Sequence, residues 1–324
     1  MNAWITGTGS YVPERVLTNA QLEQMVATSD QWITERTGIR ERHVAAEGEA
    51  CSDLGLKAAQ RALKVAGIAP ADLDMILVAT CTGDQPLPAT ACLIQHRLGA
   101  VRASACDLSA ACCGFVYALG VATAYVRTGA RHVLVIGSEV MSSITDWTDR
   151  NTCILFGDGA GAAVVSARDE GGGVLSTLLG SDGAMWDYIH VPGGGTRRPP
   201  SEDMLRERAQ FIKMRGNETF KVAVRTLEEI ARDALAAQGY SVADLDLYVP
   251  HQANIRIIRA VAERLGLPES KVFLNMDRYG NTSAASIPIA LDEAVREGRI
   301  RPGGLVMLGA FGAGLTWASA LIRW

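Results

Sequence analysis

The chain has little that would let its cysteines act in pairs. Seven lie at positions 51, 81, 92, 106, 112, 113 and 153, an odd number without CxxC spacing, so zinc and dithiol sites gain no support. Free thiols in a reducing compartment are the expectation. An excess of one charge is lacking too: the net charge is −4, which gives no general attraction to a polyanion, and no nucleic-acid partner is expected. The opening MNAWITGTGS has no basic segment followed by an apolar run, so no secretion signal is indicated and a cytoplasmic protein is predicted. The glycine clusters GTGSYVP and GDGAGA each miss the third glycine of GxGxxG, and no GxxxxGKS/T loop occurs, which leaves nucleotide cofactors with little support.

What is present is bulk and repetition. At 324 residues the chain holds one large or two medium domains. Leu108 to Val126 carries no charge and is about long enough for a membrane span. It opens on small residues and is interrupted by Gly120, and a helix apolar all round is equally one buried between protein layers. No membrane association is expected. Shifted by 172 positions, ALKVAGIAPADLDMILV (62–78) falls on ALAAQGYSVADLDLYV (234–249), VLVIG (133–137) on LVMLG (305–309), and Ala118-Leu119 on Ala290-Leu291. One offset shared by three segments predicts two similar halves, 1–173 and 174–324. Each half reads as a helix starting near Ser52 or Asn217 and ending at Gly67 or Gly239, a short apolar strand, a second helix, an uncharged helix and a final strand. Alternating strands and helices predict an α/β fold with mixed, largely parallel sheets, and two helices uncharged over 112–126 and 282–290 need cover on all sides, which five α-β-α-β-α layers provide.

Two adjacent cysteines, Cys112 and Cys113, stand where small residues give way to an apolar helix. A helix amino terminus favours a thiolate, so either could be a nucleophile, although an unpaired cysteine is more often a small core residue. Such a nucleophile needs an imidazole near it in space. Of the five histidines, His96 and His132 read as structural or surface residues, and His43 and His190 as loop residues without partners. His251 differs: it follows the strand LDLYVP and precedes a helix cap at Asn254, where parallel-sheet enzymes carry active-site residues. Asn281 enters the second uncharged helix from a place equivalent to the cysteine pair, though alone it reads as an N-cap.

Taken together, the motifs DQWITERTGIRERH (30–43), AACCGF (110–115), DRNTCILFGDGAGA (149–162), GNETFKVAV (216–224), HQANIRII (251–258), YGNTSAAS (279–286) and AFGAGLTW (310–317) resemble the thiolase-fold condensing enzymes, and within them β-ketoacyl-[acyl carrier protein] synthase III. The resemblance spans nearly the whole chain. It implies a Cys112, His251 and Asn281 triad, with Cys113 at a variable position. It further implies an oxyanion site at the N–H groups of Cys112 and Ala313, and condensation of an acyl-CoA primer with malonyl-acyl carrier protein by a homodimer. CoA would meet Trp32 and Arg150 around its adenine, Arg36 and Lys221 at its phosphates, and Asn217 and Phe220 along its pantetheine arm. Arg256 and Arg259 would meet the acidic carrier protein, and Leu87, Phe156 and Phe311 would shape the primer pocket. No metal and no cofactor are implied, CoA thioesters being substrates.

Departures bear on the partners. Leu87 stands where some members carry a Phe that crosses the dimer, Glu263 where a basic residue is common, and Asn151 and Ala313 where Gly is common. Two alternatives stand beside the initiating enzyme of fatty-acid synthesis. One is a relative from secondary metabolism with another primer or acceptor; the other is a non-catalytic partner subunit, against which the intact triad argues.

Overall fold

The computed structural model describes residues 1–324. Five strands make the first sheet: β1 (Asn2–Tyr11), β2 (Met75–Ala79), β3 (Ser104–Leu108), β4 (His132–Val140) and β5 (Asp158–Arg168), in spatial order β1-β5-β4-β2-β3. Four make the second: β6 (Gly173–Ser181), β7 (Leu247–Pro250), β8 (Leu305–Gly312) and β9 (Thr316–Arg323), in order β7-β8-β9-β6. The offset of 172 carries β2 onto β7 and β4 onto β8. The run β1-β5-β4-β2 is thus repeated as β6-β9-β8-β7. In each sheet one strand changes the sense of pairing: β4 is parallel to β2 and antiparallel to β5, and β8 is parallel to β7 and antiparallel to β9.

The helices of eight residues or more are, in chain order, α1 (Asp30–Thr37), α2 (Cys51–Ala66), α3 (Thr90–Leu98), α4 (Gly114–Arg127), α5 (Gly216–Ala236), α6 (Ile255–Leu265) and α7 (Ser286–Arg296). Outside the first sheet, α2 and α3 set Leu54, Ala58, Leu63 and Ile94 against Ile76, Val78 and Ile136. Outside the second, α5 and α6 set Leu227, Leu235 and Val261 against Leu305 and Met307. Between the sheets lie the two middle helices, where Phe115 and Leu119 of α4 and Ile287 and Leu291 of α7 share one core with Val135 and Leu308; α4 is uncharged up to Arg127, but α7 runs past its uncharged start to carry Asp292, Glu293 and Arg296. Strands buried on both faces require such cover, and five layers result; three of the seven pairings within these two sheets are parallel, so the sheets are mixed and not largely parallel as the alternation of strand and helix predicts. The halves touch closely: a Cβ added to Gly137 in β4 would lie 2.3 Å from the Ala284 carbonyl oxygen.

No helix is long and apolar enough to cross a membrane. The expected helix starts are corrected. The cap of α2 is Ala50, whose N–H donates to Asp53 at 2.8 Å, while Ser52 lies inside the first turn and donates to Asp84 at 2.7 Å. Likewise α5 is capped by Arg215, and Asn217 lies within it. In the first case a side chain reaching back from inside the helix replaced the local Ser cap. Gly67 ends α2 in the left-handed region, φ +68°, as its type predicts.

Candidate active site

Between β3 and α4 the chain makes one short turn, Ala111–Cys113, which opens on a left-handed alanine at φ +46°. That conformation costs an L-residue roughly 1–2 kcal/mol, so the surrounding contacts hold it there. The two cysteines separate at this turn. Cys113 is wholly buried in the core shared by both sheets. Cys112 lines two adjoining cavities. The backbone of β8 presses on it: a Cβ on Gly312 would lie 2.9 Å from both the Cβ and the backbone N of Cys112.

The first cavity, about 160 Å³, brings Cys112 together with His251, Asn281, Phe220 and Phe311. His251 follows β7, which ends against β8, and its N–H donates to the Gly309 carbonyl at 2.8 Å. Its Nδ1 lies 2.6 Å from Ser286 Oγ. Asn281 is held by its backbone, donating to Leu155 O at 2.8 Å and accepting from Gly157 N–H at 3.1 Å. Its Oδ1 accepts from the Ser283 N–H at 2.9 Å, so the amide nitrogen is left as its free donor. The second cavity, about 530 Å³, joins Cys112 and Asn281 to Ala313, Phe156, Met141 and Trp186.

Burial decides the charges. It pushes the Cys112 thiol up to about 11, and the nearby Glu139 carboxylate disfavours the thiolate further. The expected lowering by the helix end is therefore outweighed in the free chain. Burial likewise brings His251 down to about 4, so the imidazole is neutral. Glu139, at the end of β4 and fully buried, accepts from the Cys81 N–H at 3.1 Å, Thr80 Oγ1 at 3.2 Å and Ser283 Oγ at 2.9 Å. Burial raises its pKa despite these donors.

The remaining candidates fall into three places. On α1, Trp32 carries two guanidinium groups, those of Arg36 and Arg150, each 4.8 Å from its ring centroid. Arg150 also donates to Ala27 O at 3.0 Å, so a flat base would enter between Trp32 and Arg150 only by displacing that arginine. At the cavity mouth Arg256 stands 5.7 Å over the Phe220 ring, while Asn217 and Lys221 are exposed on α5. Arg259 is paired with Glu269 at 3.3 Å. Leu87 is 84 % exposed and lines neither cavity. Sequence reasoning passed over Ser283, Ser286 and Glu139. Only Glu139, an acid at the end of an internal strand next to the cysteine turn, carried a signal.

Two family models match the chain, both described as 3-oxoacyl-[acyl-carrier-protein] synthase III: the C-terminal part over residues 235–324 and the other over 106–183. The β-ketoacyl-[acyl-carrier-protein] synthase III of Caldanaerobacter subterraneus is 52 % identical over 99 % of this chain and 98 % of its own. That of Roseiflexus castenholzii is 55 % identical over the same shares. Among solved structures, 3-oxoacyl-[acyl-carrier-protein] synthase III from Aquifex aeolicus superposes with a TM-score of 0.93 at 46 % identity, covering 99 % of this chain and 100 % of that one. The priming β-ketosynthase of the R1128 polyketide pathway gives a TM-score of 0.91 at 39 % identity, covering 99 % and 96 %. Sequence and fold are thus similar to these enzymes over the full length, and the chain belongs to the β-ketoacyl-[acyl carrier protein] synthase III family of thiolase-fold condensing enzymes.

Proposed function

We propose that the chain condenses an acyl-CoA primer with malonyl-acyl carrier protein, releasing CO2 and giving a β-ketoacyl-acyl carrier protein, the initiating step of fatty-acid synthesis. The observation that carries this reading is the single cavity in which Cys112, His251 and Asn281 meet. In the first half-reaction the Cys112 sulfur attacks the primer thioester, the bond to the CoA sulfur breaks, and the thiol proton is passed to the departing CoA thiolate. The N–H groups of Cys112 and Ala313 hold the oxyanion. In the second, the malonyl C–C bond breaks to CO2 and an enolate, whose oxygen takes hydrogen bonds from His251 and Asn281. The enolate carbon attacks the acyl group, and the Cys112 thiolate leaves and regains a proton from solvent.

The CoA sites at Trp32, Arg36, Arg150, Asn217, Phe220 and Lys221, and the carrier contacts at Arg256 and Arg259, belong to the same proposal. Arg256 over Phe220 supports a carrier docked at the cavity mouth. The homodimer is supported by the outer edge of β3, which pairs with no strand, and by the exposed apolar side chains of Leu87 and Val101. The division at residue 173 falls where β6 begins, and seven free thiols support a cytoplasmic location. The apolar second cavity, with Met141, Ile144, Phe156 and Trp186, supports primers longer than acetyl. Intact-protein mass spectrometry after exposure to acetyl-, butyryl- and branched acyl-CoAs, followed by malonyl-acyl carrier protein, tests the reading. One acyl group per chain, lost on addition of the second substrate, is expected. An enzyme that takes no acyl group refutes the reading, and one that takes acetyl alone refutes the primer range.

A further inference from the structure

A buried hydroxyl decides which nitrogen of His251 carries the proton. Ser286 is the first residue of α7 and is 2 % exposed. Its Oγ has two polar neighbours, His251 Nδ1 at 2.6 Å and the Gln252 backbone N at 3.2 Å. The Gln252 N–H can only donate, so it takes one lone pair of the hydroxyl. The hydroxyl proton then has one acceptor, Nδ1. In the reverse arrangement, with Nδ1–H donating, the oxygen receives two donors and its own proton is stranded in a buried place, which costs as much as an unmade hydrogen bond. A neutral imidazole that accepts at Nδ1 carries its proton on Nε2. Nε2 is the nitrogen left for the cavity that His251 shares with Cys112 and Asn281.

We infer that Ser286 is a positioning residue: its hydroxyl holds His251 as the Nε2–H tautomer, so that His251 acts on the thioester oxygen as a donor and does not take the Cys112 proton. This rests on the condensing reading above and deepens it. Asn281 is oriented in the same sense, since its Oδ1 is occupied by the Ser283 N–H at 2.9 Å and only its NH2 remains free. Both side chains thus offer donors and no acceptor. A developing enolate oxygen is matched by two donors, whereas a thiol proton finds no base among them. The Cys112 proton therefore reaches the CoA sulfur by way of solvent, and loss of the imidazole leaves acyl transfer standing.

Histidine labelled with 15N in the full-length enzyme, without substrate, reads the tautomer directly. The His251 signals, assigned by their loss in His251→Gln, should show a proton-bearing Nε2 and a bare Nδ1; the opposite pattern overturns the inference. In single-turnover assays Ser286→Ala should slow condensation about tenfold or more, while acylation of Cys112 stays within about twofold. Equal loss in both steps overturns it as well. Ser286→Thr, which keeps a hydroxyl, should restore the wild-type tautomer signal. If the alanine variant does not fold, the wild-type spectrum still decides. An enzyme that shows the Nε2–H form and makes no ketoacyl product refutes the functional reading and leaves the tautomer in place, so the two failures are told apart.

Discussion

The two halves use one backbone for two chemistries. The turns Ala111–Cys113 and Ser283–Ala285 correspond residue for residue at the offset of 172, open on left-handed residues at φ +46° and +49°, and lead into α4 and α7. The first half puts Cys112 in the middle of its turn, where the second has Ala284. The second half puts His251 after β7 and Ser286 at the head of α7, where the first has Ala79 and Gly114. Those two are packed so closely that a Cβ on Gly114 would lie 2.9 Å from that of Ala79. The strained turn and the buried helix therefore belong to the fold, and reactivity is a few side chains set on it. On the proposed reading neither half is complete: one would bring the nucleophile and the other the donors, and the contact of Ala284 with Gly137 joins the halves there.

The sharpest way to break this division is at the cysteine turn. Cys112→Ala should abolish the acyl-enzyme, whereas Cys113→Ala, a change inside the core, should still gain one acyl group per chain. Peptide mapping after exposure to acyl-CoA checks both; an acyl group on Cys113 would reverse the assignment of the nucleophile. Next in size is the donor half. Asn281→Ala and His251→Ala should each slow condensation by about 10²-fold, the usual loss for one donor to an oxyanion. Acyl transfer should be far less affected, and Asn281→Ala, measured by single turnover of each step, gives the cleaner separation.

Much of this division was legible beforehand, because a repeat of strand and helix patterns survives in sequence wherever both copies must bury the same faces. The correspondence of β2 with β7 and of β4 with β8 follows from it, but the strand order does not. The helix starts were not legible, since Asp53 reaches back to Ala50 from within the helix and displaces the Ser52 cap. Around the site, the residues that were missed pair over long distances. Ser286 lies 35 residues from His251, and Ser283 lies 144 residues from Glu139. Such contacts leave no local period. Arg42 is the extreme case: it is fully buried and donates to the carbonyls of Leu17 and Ile154 and to Asn19 Oδ1 without a carboxylate partner, which nothing in RERH announces.

A smaller effect is expected where the halves share charge. Glu139 of the first half accepts from Ser283 of the second, and its carboxylate disfavours the Cys112 thiolate. Glu139→Gln removes that charge, so the Cys112 thiol should titrate below its value of about 11, and iodoacetamide should alkylate it at lower pH. The new amide hydrogens would face donors and find no acceptor, costing about 1–3 kcal/mol of stability. Urea unfolding measures the second effect; an unchanged alkylation profile would remove Glu139 from the electrostatics of the nucleophile.

The smallest expected effect on rate is an absence of titration. Burial holds His251 at about 4, below the value near 6.5 of a free imidazole, so it stays neutral from pH 6 to 8. A donor that is already neutral and protonated at Nε2 has nothing to lose over that range. Single-turnover condensation by preformed acyl-enzyme should therefore show no acid limb near 6.5. Stability behaves differently. Because the folded pKa is depressed, the unfolded chain binds the proton more readily, so the contribution of neutral His251 is whole above about 6.5 and is lost as pH falls through about 4. His251→Gln should flatten that part of the stability profile, and Ala79, its counterpart in the first half, adds nothing to it. An acid limb near 6.5 in wild-type condensation that vanishes in His251→Gln would mean that the imidazole takes a proton during turnover, and the division into a nucleophile half and a pure donor half would fail.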